Sequence, residues 1–278
     1  VKAFKKKSQP TFEDRTGDLD AEGPQSSADY ERLLLSAPHD SQLWVAYMAF
    51  HLRLSEVQAA RDIGRRALST IPLREVDEKL NVWIALLNLE VSYSSSDGPD
   101  DAPASSSSDA LETVFRDACA VQDPYAMHLH LASIFTAAGQ PDKADLLYQS
   151  MLSSNPSLGP SPFRHPVATA KSTKAFRAQS ALWLTYAAFL FEHLHDAPRA
   201  RALLARGLQS VPERARRDLT VDFAKLEFKF PPSSDPERGR TLFEGVLSEW
   251  PRLATAWDAW VDAETALIAG LDGEEKTE

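Results

Sequence analysis

The sequence is poor in the features that carry chemistry or cross membranes. Of 278 residues one is cysteine, Cys119. That excludes an internal disulfide framework and fits a reducing compartment. No run of eighteen apolar residues occurs, so no membrane-spanning helix is expected. The N-terminal stretch VKAFKKKSQPTFED is basic, but no apolar run follows it, and it does not read as a secretory signal. There is no glycine-rich phosphate loop, no GxSxG and no HExxH. Asp100 and Asp101 sit in a loop too pliant to hold catalytic geometry. Cys119 has no histidine partner by pattern, and within VFRDACAV it reads as a small buried apolar residue. His128 and His130 are the nearest approach to a metal pair, yet their spacing puts them on different helical faces, with no cysteine or carboxylate at ligand spacing. Positive charge is short as well: the net charge is −10, which argues against a surface that grips nucleic acid throughout. The expectation is a chain without enzymatic activity, cofactor, metal or small-molecule substrate.

What is present is a periodic placement of aromatics. Trp44, Tyr47 and Phe50 recur every three residues on one helical face, AARDIGRRAL follows, and Pro72 closes the segment. Trp83, Leu86 and Leu89 then begin the pattern again. An aromatic helix, a short turn, an Ala/Arg-rich helix and a proline stop make a helical hairpin. One hairpin cannot bury its apolar face alone, so a repeated hairpin predicts stacking. Tryptophan and tyrosine supply the large areas to be covered, and Ala59, Ala60 and Ala67 let the second helix come close. The pattern returns at Trp183, Tyr186 and Phe189, with Glu192 behind them and PRARALLARGLQSVP closing on Pro212. It returns at Phe223, Leu226, Glu227 and Phe228, with a partner segment closing on Pro251, and at Trp257, Trp260 and Glu264. Between these, AMHLHLASIFTAAGQ and the segment from Pro141 place His128 where a tryptophan stood before. Trp44 and Trp83 stand 39 residues apart (83 − 44), and Trp183 and Trp257 stand 74 apart (257 − 183), twice 37. The predicted fold class is all-α, a right-handed α-solenoid of helical hairpins.

The domain reading follows. Residues 1–27 are a polar linker with little to bury, 28–269 form the solenoid, and 270–278 are an acidic, Gly-broken tail. Two stretches interrupt the repeat, the Ser-rich 94–108 and the Pro-rich 155–174. Asp109 is the expected N-cap where the helix resumes after the first of them. A short helix from Asp29 to Ser36 would cap the open start of the solenoid with Tyr30, Leu33 and Leu34. At the other end, Trp257, Trp260, Ala263 and Leu267 would line a face with nothing after it to cover it. The expected repeat anchors are Trp44, Tyr47, Trp83, Glu90, Trp183, Tyr186, Glu192, Glu227 and Trp257. Glu90 lies two turns beyond Trp83 on the same side, within reach of a backbone or arginine partner on the adjoining helix. Candidate RNA contacts are Arg164, Lys171, Lys174, Arg177, Arg199, Arg201, Arg214, Arg216 and Arg217.

These segments, WVAY with AARDIGRRALSTIP and WLTYAAFLFE with RARALLARGLQSVP, resemble half-a-TPR (HAT) repeats. Such repeats are typical of RNA-processing factors, and the resemblance implies a nuclear protein. DYERLLLSAPHDSQLWVAYMAFHL, EKLNVWIALLNLE and DPERGRTLFEG closely resemble the C-terminal HAT/TPR-like region of the ribosomal RNA processing protein five family, over about residues 27–264. That resemblance implies a scaffold in the nucleolus, acting in pre-rRNA processing and assembly of the small-subunit processome. Its implied partners are ribosome-assembly proteins, with pre-rRNA or a small nucleolar RNP as further candidates. In that family a long array of OB-fold RNA-binding repeats precedes the helical region; this sequence contains none of it. The other reading is a HAT scaffold of splicing or mRNA 3′-end processing. The sequence departs from the family in its two insertions and in stopping one helix into a sixth hairpin.

Overall fold

A computed structural model describes residues 24–95, 105–152, 179–230 and 233–274, and all regular structure among them is helical. The helices are α1 (Ser27–Ser36), α2 (Ser41–Arg53), α3 (Val57–Thr70), α4 (Val76–Ser95), α5 (Ser105–Val121), α6 (Pro124–Ala137) and α7 (Pro141–Leu152). They continue as α8 (Ser180–Phe189), which runs into a π-helical turn (Leu190–Leu194), then α9 (Ala197–Ser210), α10 (Glu213–Lys229), α11 (Pro236–Glu249) and α12 (Ala254–Glu274). Local chemistry sets many starts. Ser26 and Asp29 form a capping box at α1. At α6, α9 and α11 an aspartate N-cap (Asp123, Asp196, Asp235) accepts backbone N–H groups and a proline stands in the first turn.

The chain divides into two compact units, residues 1–90 and 91–278, and α4 runs across the division. In the first unit α1 packs on α2 and α2 on α3. Trp44, Tyr47 and Met48 of α2, Ala60, Ile63 and Ala67 of α3, and Val82, Leu86 and Leu87 of α4 are buried. Gly64 is where this packing is tightest: a Cβ there would lie 2.6 Å from Leu86 Cδ2 and 3.2 Å from Met48 Cε. In the second unit α6 pairs with α7, α8 with α9 and α10 with α11, while α8 packs on α10 and α10 on α12. The core at its end joins Val221, Ala224, Phe228, Phe243, Val246, Leu247 and Ala256, with Trp260, Ala263 and Leu267 packed against it.

The turns inside the hairpins share one device. Ser55, Gly139 and His195 each take a positive φ, of 63°, 71° and 51°, between a first and a second helix. The chain reverses through a left-handed residue, the usual way to end a helix. From Trp44 to Ser55 and from His128 to Gly139 the spacing is the same; from Trp183 to His195 it is one residue longer. The extra residue is absorbed as the π-helical turn Leu190–Leu194. A non-glycine residue pays for this conformation. Ser55→Gly is expected to raise stability by about 0.5–1 kcal/mol, read as a higher urea midpoint at unchanged slope; a lower midpoint would show that the Ser55 side chain contributes more than its backbone costs.

Two details differ from the sequence reading. α5 starts at Ser105, so Asp109 lies inside the helix instead of capping it. α12 continues to Glu274, through Gly270 and Gly273, since glycine lowers helix propensity without forbidding a helix. The insertion 155–174 lies outside the described residues, as do 96–104 of the first insertion.

Candidate interaction surface

The repeat is built from three recurring side-chain arrangements. The first seats the tryptophan. Trp44 Nε1 donates to the Pro38 carbonyl at 2.9 Å and Trp257 Nε1 to the Pro251 carbonyl at 3.0 Å, each partner six residues upstream. Trp83 breaks this rule: its sixth upstream residue, Asp77, is already inside α4, and its buried indole N–H has no partner among the described residues.

The second is an arginine–glutamate clamp from a second helix to the first helix of the following hairpin. Arg61 of α3 reaches Glu90 of α4 through two bonds of 2.8 Å. Arg201 of α9 reaches Glu227 of α10 at 2.8 and 3.0 Å, and Arg240 of α11 reaches Glu264 of α12 at 2.6 and 2.7 Å. Each is a two-pronged guanidinium–carboxylate contact, the form that fixes geometry best. Glu227 also accepts the backbone N–H of Asp235, tying the clamp to the start of α11. The bond from Arg240 holds the Glu264 carboxyl below its ordinary range.

The third arrangement surrounds the tyrosine three residues after the tryptophan. Tyr47 stacks on Tyr30 with centroids 5.0 Å apart, and its hydroxyl donates to Glu31, which Arg66 also binds. Tyr186 stacks on Tyr148 at 5.1 Å, its hydroxyl donates to Asp145 at 2.6 Å, and Arg199 binds the same carboxylate. Burial, then the Asp145 hydrogen bond, pushes the Tyr186 phenol well above its ordinary value. The hydrogen bond from Arg66 holds Glu31 low. The two sites match group for group, so α1 stands to α2 as α7 stands to α8.

The nine expected anchors differ in burial. Trp44, Tyr47, Trp83, Glu90, Trp183, Tyr186 and Glu227 are buried. Glu192 is exposed on the π-helical turn, its ion-pair contact among the described residues being His193 at 4.0 Å. Glu90 and Glu264 follow their tryptophans by seven residues (90 − 83, 264 − 257), whereas Glu192 follows by nine (192 − 183), half a helical turn off the clamp side. Trp257 is half-exposed. His128 does take the tryptophan position, buried with Nδ1 on the Pro124 carbonyl and its ring edge-on to Phe115.

Among the basic candidates, Arg199 and Arg201 belong to the internal pairs above. Arg214 and Arg216 are exposed on the first turns of α10, and Arg217 pairs with its neighbour Asp218. Arg164, Lys171, Lys174 and Arg177 lie outside the described residues. The clamp arginines Arg61 and Arg240, and the acids Glu31 and Asp145, escaped the sequence reading. Their signal is a pairing across 24 to 54 residues, which local periodicity does not carry.

Cys119 is buried, and burial with the nearby Asp123 pushes its thiol up to about 12. The thiolate is then roughly one part in ten thousand at pH 8. Iodoacetamide is expected to leave Cys119 unmodified in the native protein and to label it in urea, as intact mass will show; prompt native labelling would contradict the burial.

An apolar open surface lies on α12. Trp257, Val261 and Ile268 are exposed along one side of that helix, whereas Trp260, Ala263 and Leu267 face the core. The face expected from the sequence is therefore rotated: Trp257 belongs to the open side and the other three residues are covered. Beside it an open groove of about 590 Å³ runs between α10 and α12, lined by Lys225, Lys229, Asp258 and Asp262 among others. Among the described residues no cluster of three or more His, Cys, Asp or Glu could hold a metal ion, and no helix is long and apolar enough to cross a membrane.

No protein-family profile matches the sequence. Curated proteins do. The rRNA biogenesis protein rrp5 of Schizosaccharomyces pombe is 42% identical over 253 residues, 91% of this chain and 13% of that protein. The RRP5 homolog of Homo sapiens is 36% identical over 239 residues, 86% of this chain and 11% of that protein. The rRNA biogenesis protein RRP5 of Arabidopsis thaliana is 30% identical over 249 residues, 90% of this chain and 11% of that protein. The chain spans only a small part of the length of these relatives. Similarity this even, across fungal, animal and plant proteins of one name and over nearly the whole chain, shows that the chain belongs to the RRP5 family, as a homologue of one part of those longer proteins.

Proposed function

We propose that this chain serves rRNA biogenesis as a non-enzymatic scaffold, a helical platform in the nucleolus that holds ribosome-assembly proteins of the small-subunit processome and touches pre-rRNA only locally. The observation that carries the reading is the 42% identity, over 91% of the chain, to a protein named for rRNA biogenesis. The geometry is consistent with it. The polar side chains that recur in the repeat, the clamp glutamates and arginines and the buried tyrosines, bind one another and set helix against helix. They leave exposed helix surfaces for other molecules.

Crosslinking the tagged chain in nuclear extract, followed by mass spectrometry and RNA sequencing, tests this directly. Ribosome-assembly proteins and pre-rRNA are expected to be enriched. Enrichment of splicing or mRNA 3′-end factors in their place would overturn the assignment and favour a scaffold of another nuclear machine.

A further inference from the structure

We propose that a slot between α9 and α11 seats a short extended segment of a partner protein, which puts one aliphatic or aromatic side chain into it and a carboxylate on Arg238. α9 and α11 both pack on α10, and a slot of about 350 Å³ opens between them with α10 as its floor. Each helix brings a pair of residues one turn apart: Arg201 and Leu204 from α9, Phe223 and Glu227 from α10, Arg238 and Leu242 from α11. The exposed Thr241 lies beside the last pair. The floor is firm. Phe223 and Glu227 are each 3% exposed. Gly239 lets α11 sit close on α10, for a Cβ there would stand 2.4 Å from Phe228 Cε2.

The lining selects the occupant. Its buried polar group is already satisfied: Glu227 accepts Arg201 at 2.8 and 3.0 Å and the backbone N–H of Asp235 at 3.0 Å. An apolar side chain can therefore enter over Phe223, between Leu204 and Leu242, without stranding a donor or acceptor. Arg238 is the charge left over. The nearby Arg240 is engaged by Glu237 and Glu264. The guanidinium of Arg238 is exposed and has no ion pair or hydrogen bond among the described residues. A carboxylate next to the entering side chain would complete it with a charge-assisted bond. The slot is too small for a helix, which measures about 10–12 Å across with its side chains, so the segment is extended. RNA suits the surroundings less well. Its affinity comes from many phosphate contacts, and here the exposed Glu237 and the N-cap Asp235 border Arg238. The seat belongs to the scaffold proposed above and depends on that reading only for the identity of the partner.

The test titrates the whole chain, isotope-labelled for NMR, with peptides Ac-SGZEEGS-NH2 carrying leucine, phenylalanine or alanine at Z. Saturable shifts at the slot residues are expected for the leucine or the phenylalanine peptide, with a Kd below about 1 mM. The alanine peptide should bind at least about tenfold more weakly. Arg238→Glu in the chain should weaken binding at least about tenfold and transfer it to peptides with two lysines in place of the two glutamates. Thr241→Phe, which fills the slot from its own wall, should weaken both kinds of peptide. Arg238 and Thr241 are exposed, so both variants are expected to fold; circular dichroism melts check this, and should Arg238→Glu fail, Arg238→Gln serves. No saturation by any peptide up to about 1 mM, or binding that ignores the substitutions, overturns the proposal. So does an oligouridine that binds with the same dependence on Arg238, which would give the site to RNA. The peptides read the slot by itself, so their failure leaves the scaffold reading standing, whereas crosslinking to splicing factors would end that reading without touching the slot.

Discussion

Trp183→Ala is expected to destabilise the second unit by about 3–5 kcal/mol, the range for truncating a large, fully enclosed aromatic. The indole is 1% exposed and lies so close to α9 that a Cβ at Gly207 would stand 3.2 Å from it, so its removal empties a fully enclosed site. α8 also packs on α10, so the loss should propagate to that neighbour, as stability in a stacked array rests on nearest-neighbour contacts. Trp257→Ala is the matched control: the same residue type with nearly half its surface already in water should cost less than about 2 kcal/mol. Urea melts of the two variants read the difference. Equal losses, or a Trp183→Ala cost below about 1 kcal/mol, would mean that the seat described for the first-helix tryptophan does not carry the packing.

The second large effect belongs to the Arg61–Glu90 clamp. Glu90 is enclosed, with its side chain 3% exposed, while that of Arg61 keeps 25% of its surface in water. Deleting the arginine therefore strands a carboxylate where water cannot reach it. Arg61→Met is expected to cost about 3–5 kcal/mol. Most of that is the penalty of an unpaired buried charge rather than the worth of the pair, so Arg61→Met combined with Glu90→Met should recover much of the loss. Chemical denaturation of both single variants and the double variant closes the cycle. Additive losses would show that the two side chains act independently and that the clamp is incidental. Arg240 and Glu264 offer the contrast: Glu264 keeps 28% of its side-chain surface exposed, so breaking that clamp should cost far less.

Much of the fold is legible in the residues themselves. Trp44, Tyr47 and Phe50, and then Trp183, Tyr186 and Phe189, show the helical face by spacing alone, and Pro124, Pro141 and Pro198 mark helix starts because proline fits only a first turn. These are short-range facts, set by backbone sterics and by side chains three or four residues apart. Family membership is legible for the same reason: it lies in strings of residues, and matching strings needs no coordinates. What only the tertiary structure decided are the matters of rotation and long reach. Glu192 looks like Glu90 in the sequence, yet one added residue, taken up as a π-helical turn, and a nine-residue offset carry it out to solvent. Trp257 looks like Trp44, yet whether an indole is core or surface depends on what packs over it, and that is a helix elsewhere in the chain. Arg199 and Arg201 look like free cations until Asp145 and Glu227 are brought to them across 54 and 26 residues. A helix repeats every 3.6 residues, so sequence spacing fixes which side chains share a face, but the partner of that face is chosen by packing, and packing is not local.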